Sequence, residues 1–208
     1  MSMKLYYGPG ACSLAPHIIM REIGVDFVLE KVDGKTKTTE TGADFWAVNP
    51  KGYVPVIKLD DGEVLTEGVV MQQYLADLKP EAKLAPARGT KERRKLEELL
   101  VFLSTEVHKS FSPLFGAATP EDYKTIAKDK IATRFDLLEK QLSDGRKFLT
   151  GDTFTIADAY LFTLSNWTKP TGIDLKRWPN IAAFAGRVAA RPAVQAALQA
   201  EGLIPKAA

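Results

Sequence analysis

Apolar and polar positions follow two different rhythms along this chain, and the change falls near residue 80. Lys4–Tyr7 is a short β-prone run ended by Gly8-Pro9-Gly10. Ser13–Ile23 then has helical spacing, with Gly24 as its stop signal. Phe27–Val32 alternates as a strand, Val56–Leu59 is another, and Asp61-Gly62 is a two-residue hairpin signal that returns the chain into Glu63–Thr66. Glu67–Leu78 is an amphipathic helix with Val69, Val70, Tyr74 and Leu78 at helical spacing. The order β-α-β, an irregular stretch, then β-β-α predicts a four-stranded mixed sheet with helices packed against it. Two prolines, charges and small residues between Lys79 and Gly89 mark a linker. After it every periodic segment is helical. Leu96, Leu99, Leu100, Leu103 and Val107 make one apolar stripe, and Ile126–Leu142, Ala157–Trp167, Ile181–Ala190 and Val194–Leu198 make others. The expectation is an α/β domain over 1–80 and an all-α domain over 90–208.

Composition narrows the classes further. The 208 residues are 45% hydrophobic and 26% charged, enough apolar material for a real core. A formal charge of +2 gives no electrostatic case for nucleic acid or an anionic membrane as partner. No apolar run is long enough to span a bilayer, and no basic stretch followed by an apolar one opens the chain. Cys12 is the sole cysteine, which rules out an intramolecular disulfide, fits a reducing compartment and makes the cytoplasm the expected location. The basic run Lys91–Lys95 reads as a solvated helix face.

Three segments carry candidate chemistry. Tyr7-Gly8-Pro9-Gly10-Ala11-Cys12-Ser13 joins the first strand to the first helix and puts Cys12 at or just before the helix N-terminus. Unpaired N–H groups and the helix dipole favour a thiolate there, or a sulfur belonging to a ligand. A buried, inert cysteine under the sheet is the equal alternative. With Ser13, Leu14 and Ala15 following, no C-x-x-C pair exists and a two-cysteine redox mechanism is excluded. In Asn49-Pro50-Lys51-Gly52-Tyr53-Val54-Pro55-Val56, a proline entering a strand is a candidate cis bond, an ordinary trans turn being the alternative. An extended peptide can pair with an open edge at Val54. Glu67-Gly68 opens a helix whose N-terminal amides can take a carboxylate while the Glu67 side chain takes an ammonium group; a plain first-turn glutamate is the alternative.

Gly-Pro-Gly-Ala-Cys-Ser, Asn-Pro-Lys-Gly-x-Val-Pro, Asp-Gly-x-x-Leu-Thr-Glu-Gly and Phe154-Thr-Ile-Ala-Asp-Ala-Tyr-Leu-Phe162 occur in this order over the whole chain. Together they resemble the beta class of bacterial glutathione transferases. The resemblance implies a thioredoxin-like glutathione-binding domain followed by an all-helical one that contributes the electrophile site. It also implies a homodimer, glutathione as co-substrate and no metal. It places Cys12 against the glutathione sulfur, with mixed-disulfide formation between them, and Val54, before a cis Pro55, against the cysteinyl backbone. Glu67 and Gly68 would hold the γ-glutamyl end, and Lys37 stands where the family has a basic residue facing the ligand. Gly68 stands where many transferases have Ser, and Val101 where the family often has Asn.

Val101, Thr105, His108 and Ser112 form a mixed face distinct from the leucine stripe. A lone helical histidine is more often structural, but the resemblance carries Thr105 and His108 to the interdomain cleft near the glutathione sulfur. His108 there can donate to a developing thiolate or move a proton. His17 reads as packing or surface. Thr155-Ile156-Ala157-Asp158 fits a capping box with Asp in place of the usual Glu or Gln. The function these observations favour is glutathione conjugation to small electrophiles, as in detoxification, or thiol–disulfide exchange through Cys12. The alternatives are a glutaredoxin-like reductase and a non-catalytic carrier of apolar ligands.

Overall fold

The computed structural model describes residues 3–205, which divide into two compact units. One runs through Ala82 and takes the chain back from Ala190 onward; the other is Lys83–Ala189. In the first unit, β1 (Met3–Tyr7) leads through a tight turn into α1 (Leu14–Glu22). β2 (Phe27–Lys31) returns parallel to β1, with Met3 opposite Phe27 and Tyr7 opposite Lys31. β3 (Val56–Lys58) is antiparallel to β1, and β4 (Val64–Leu65) is antiparallel to β3, giving the order β2-β1-β3-β4. Asp61-Gly62 closes the β3–β4 hairpin, where the Leu59 N–H donates to the Glu63 carbonyl at 2.8 Å. α2 (Gly68–Leu78) follows and packs on α1.

Alternation along β1 sends Leu5 and Tyr6 to opposite faces of the sheet. Leu5 and its cross-strand partner Ile57 are buried along with Ile18, Ile19, Met71 and Leu75 of α1 and α2. On the other face, Tyr6 and its partner Val56 join Phe45 and Val32 in a small apolar cluster. Phe45 sits in a short 3-10 turn capped by Asp44, which accepts from the Trp46 N–H at 2.9 Å. The loop between β2 and β3 therefore covers the face that the helices leave open.

The helical half expected over 90–208 does not anticipate where the chain ends. α8 (Pro192–Ala200) packs on α1 and belongs to the first unit. The physical reason lies in two polar contacts at its ends. Arg191 donates from Nε and Nη2 to the Glu22 carboxylate at 2.6 and 2.9 Å. Glu201, just past the helix, accepts from His17 Nδ1 at 2.8 Å, and His17 Nε2 in turn accepts from Arg21 Nε at 2.9 Å. His17 is fully buried, so its role is linking rather than surface.

The second unit contains α3 (Lys91–Phe102), a π-helical segment (Leu103–His108), α4 (Lys109–Phe115), α5 (Glu121–Leu142), α6 (Ile156–Asn166) and α7 (Pro179–Ala189). Leu96, Leu100, Leu103 and Val107 of the predicted stripe are fully buried. The basic run opening α3 is solvated except at Arg93, which is 2% exposed and bonds Glu97 and the Pro86 carbonyl. α6 is buried along nearly its whole length and forms the unit's central helix. Among the described residues, no helix is long and apolar enough to cross a membrane.

The start of α6 is fixed by the capping box read from the sequence. Asp158 Oδ2 accepts from the Thr155 N–H at 2.7 Å and from its hydroxyl at 2.8 Å, while Oδ1 accepts from the Leu149 N–H at 2.8 Å. The carboxylate is fully buried, so the shorter Asp does more than a usual box residue: it also ties the preceding loop to the helix. Urea unfolding should show Thr155→Ala losing ~0.5–2 kcal/mol. Asp158→Ala should lose more, because two buried N–H groups lose their acceptor at roughly 1–3 kcal/mol each. Equal losses in the two variants would contradict this assignment.

Candidate active site

The β1–α1 turn is built to hold Cys12 still. The Ser13 hydroxyl is fully buried; its oxygen accepts from the Gly8 N–H and it donates to the Gly8 carbonyl, both at 3.1 Å. The Ala11 N–H closes on the same carbonyl at 3.0 Å. The Gly10 N–H donates to Glu201 Oε2 at 2.8 Å, in a left-handed conformation with φ +69°. Cys12 thus sits one residue ahead of the cap of α1, half-buried and free of any disulfide. Its Sγ donates to the Val54 carbonyl at 3.3 Å. That bond uses the thiol proton, whereas the nearby helix N-terminus favours the anion, so ionising Cys12 means releasing Val54.

The Val54–Pro55 peptide bond is cis. The turn ahead of it is organised by Asn49, which is 1% exposed, donates to the Tyr53 carbonyl at 2.8 Å and accepts from the Lys51 N–H at 3.1 Å. Gly52 is required there: a Cβ would lie 2.3 Å from the Trp46 ring, and φ is +69°. Glu67, at the entry to α2, adopts φ +66°, a conformation that costs a non-glycine residue free energy and clusters at functional sites. Its Oε1 accepts from Lys51 Nζ at 2.7 Å and from the Tyr53 hydroxyl at 2.8 Å. Those bonds to Glu67 raise the pKa of both Lys51 and Tyr53. Gly68 and Val69 occupy the first turn of α2, where N–H groups have no intrahelical acceptor.

Cys12, Val54, Glu67 and Gly68 therefore all belong to the first unit, with Cys12 and Val54 in direct contact. Lys37 is in that unit too, with φ 58° and its ammonium 6.0 Å from the Trp46 ring centroid. Lys51 and Tyr53 were not singled out from sequence, although both stand inside the quoted Asn-Pro-Lys-Gly-x-Val-Pro run.

Thr105 and His108 lie in the π-helical segment of the second unit. The widened turn is backed by the Thr105 hydroxyl, which donates to the Val101 carbonyl at 2.9 Å. Val101 itself is exposed. His108 Nδ1 lies 2.7 Å from the Tyr160 hydroxyl, and its ring meets Trp167 edge-on at 4.8 Å. Burial, aided by the charge of Lys109, pushes the His108 pKa down to about 4, so the ring is neutral near pH 7. Tyr160 stands inside the quoted Phe154–Phe162 run but was given no role from sequence, because its neighbours are hydrophobic.

Comparison with known proteins agrees with these features. Residues 10–78 match the family described as Glutathione S-transferase, N-terminal domain, and residues 102–192 match Glutathione S-transferase, C-terminal domain. The Escherichia coli O157:H7 glutathione S-transferase GstA is 48% identical, over 97% of this chain and 100% of its own. The crystal structure of a Methylococcus capsulatus glutathione transferase superposes with a TM-score of 0.96 at 57% identity, covering 97% of this chain and 100% of that one. Two sphingomonad glutathione S-transferases are each 47% identical, again over 97% of this chain and 100% of theirs. One is complexed with glutathione, at a TM-score of 0.93; the other is a bacterial beta-class structure from Sphingomonas chungbukensis, at 0.94. The chain belongs to the glutathione S-transferase family and stands among its bacterial beta-class members.

Proposed function

We propose that this protein binds reduced glutathione on its first unit and uses the glutathione sulfur for conjugation, with Cys12 serving thiol–disulfide exchange. The observation that carries this reading is the Cys12 thiol against the Val54 carbonyl, on the same unit as the Glu67 carboxylate that opens α2. Glutathione suits these groups in chemistry. Its cysteinyl backbone is an extended peptide for Val54. Its γ-glutamyl end has an ammonium group for Glu67 and a carboxylate for the amides of Gly68 and Val69. Lys37 is the candidate for a further charge contact.

Conjugation asks for a glutathione thiolate that attacks an electrophilic carbon as the leaving group departs. Exchange asks for a Cys12 thiolate that attacks one sulfur of a disulfide substrate, forming a mixed disulfide and releasing the other sulfur as a thiolate. Glutathione then attacks the substrate-derived sulfur of the mixed disulfide, forming a glutathione–substrate disulfide and releasing Cys12 as the thiolate. Family membership supports adding Thr105 and His108 of the second unit, His108 as a neutral donor to the developing sulfur charge. It equally supports a cytoplasmic homodimer whose second unit supplies the site for the small electrophile. A glutaredoxin-like reductase shares the exchange half of this chemistry, and an inert carrier shares neither half.

Cys12→Ala and His108→Ala should be assayed with a disulfide substrate and with an electrophilic aromatic one. Cys12→Ala should abolish exchange and reduce conjugation far less, since the donors to the glutathione sulfur survive. His108→Ala should lower both by roughly 10²-fold, the usual loss when one donor to developing charge is removed. Intact exchange in Cys12→Ala would show that another group is the nucleophile. Light scattering at micromolar protein should return twice the mass of one chain; the mass of one chain would refute the dimer.

A further inference from the structure

His108 is the one candidate donor that the sequence presents without its support. A neutral imidazole has one donor nitrogen and one acceptor nitrogen, and its best-ordered partner decides which is which. Here that partner is Tyr160, which is 3% exposed on the central helix α6, two residues beyond the Asp158 that anchors that helix. The π-helical segment that ends at His108 packs against α6. Trp167, meeting the imidazole edge-on, restricts rotation of the ring about the bond that carries it.

The direction of the 2.7 Å contact follows from the two groups' chemistry. A phenol, with an ordinary pKa of about 10, gives its hydrogen bond readily, and an imidazole nitrogen, with an ordinary pKa of about 6.5, is the more basic acceptor. We propose that Tyr160 is a positioning residue for His108: its hydroxyl donates to Nδ1, which fixes the imidazole proton on Nε2 and orients that nitrogen as a neutral donor. The inference rests on the reading of His108 as a donor to sulfur, but its first readout does not. Burial, with the charge of Lys109 acting in the same sense, holds His108 neutral near pH 7, so Nδ1 is open to accept the phenolic hydrogen bond.

The test is ring-nitrogen NMR on the full-length protein. The chain has two histidines, and His108→Gln identifies the His108 signals by their loss. The expected wild-type result is a neutral His108 near pH 7, protonated on Nε2, with Nδ1 shifted as a hydrogen-bonded acceptor. Tyr160→Phe keeps the ring and removes only the hydroxyl. It should release the Nδ1 shift and raise the His108 pKa by about one. It should also lower conjugation turnover about tenfold while the KM for glutathione stays nearly unchanged. A proton on Nδ1 in the wild type, or a His108 pKa in Tyr160→Phe equal to or below the wild-type value, overturns the proposal. Unchanged turnover in Tyr160→Phe overturns the positioning role even where the hydrogen bond is seen. Full turnover in His108→Ala, with the NMR result as expected, would instead sink the catalytic reading of His108.

Discussion

Glu201 is the contact on which the first unit's chemistry depends. Its side chain has no exposure, and its two oxygens serve different elements: Oε2 takes the Gly10 N–H and Oε1 takes His17 Nδ1, both at 2.8 Å. One acceptor thereby joins the end of α8, the middle of α1 and the turn that presents Cys12. A buried amide left without its acceptor costs roughly 1–3 kcal/mol. The left-handed Gly10 and the return of the chain after Ala190 are thus parts of one arrangement.

The second unit repeats the device with other residues. Asp158 is also fully buried, and it also fixes a helix by accepting from backbone amides of a preceding segment. α6 then carries Tyr160 to His108, as α1 carries Cys12 at its start. In the first unit the buried Glu201 carboxylate holds the turn from which Cys12 projects, and in the second the buried Asp158 carboxylate holds the helix whose Tyr160 meets His108. Cys12 stays partly exposed, while the Glu201 and Asp158 side chains are shut away from water.

Local structure was legible in the sequence because local rules wrote it. The Asp61-Gly62 hairpin, the stop at Gly24, the leucine stripe of α3 and the Thr155–Asp158 box each lie within a few residues and match the structure closely. What stayed hidden was long-range. Glu201 lies 184 residues from His17 and 191 from Gly10, and no pattern on α8 says that it packs on α1. The π-helical segment spans only six residues, too short for a periodicity window to separate from ordinary helix. Arg93 looked like one charge among a solvated run, yet its guanidinium is buried against Glu97 and the Pro86 carbonyl. The candidate site divided in the same way. Cys12, Val54 and Glu67 were visible in the sequence, whereas the bond from Cys12 to the Val54 carbonyl and those from Lys51 and Tyr53 to Glu67 depend on how the turn before β3 folds.

The central claim is that the first unit is a glutathione site built around the Cys12 turn, the Val54 backbone and the start of α2. Titrating ¹⁵N-labelled protein with reduced glutathione while following its backbone amide signals tests this most directly. The account predicts saturable shifts concentrated at Cys12, Val54, Glu67 and Gly68. Saturable shifts confined to other surfaces, or none at all, would contradict it.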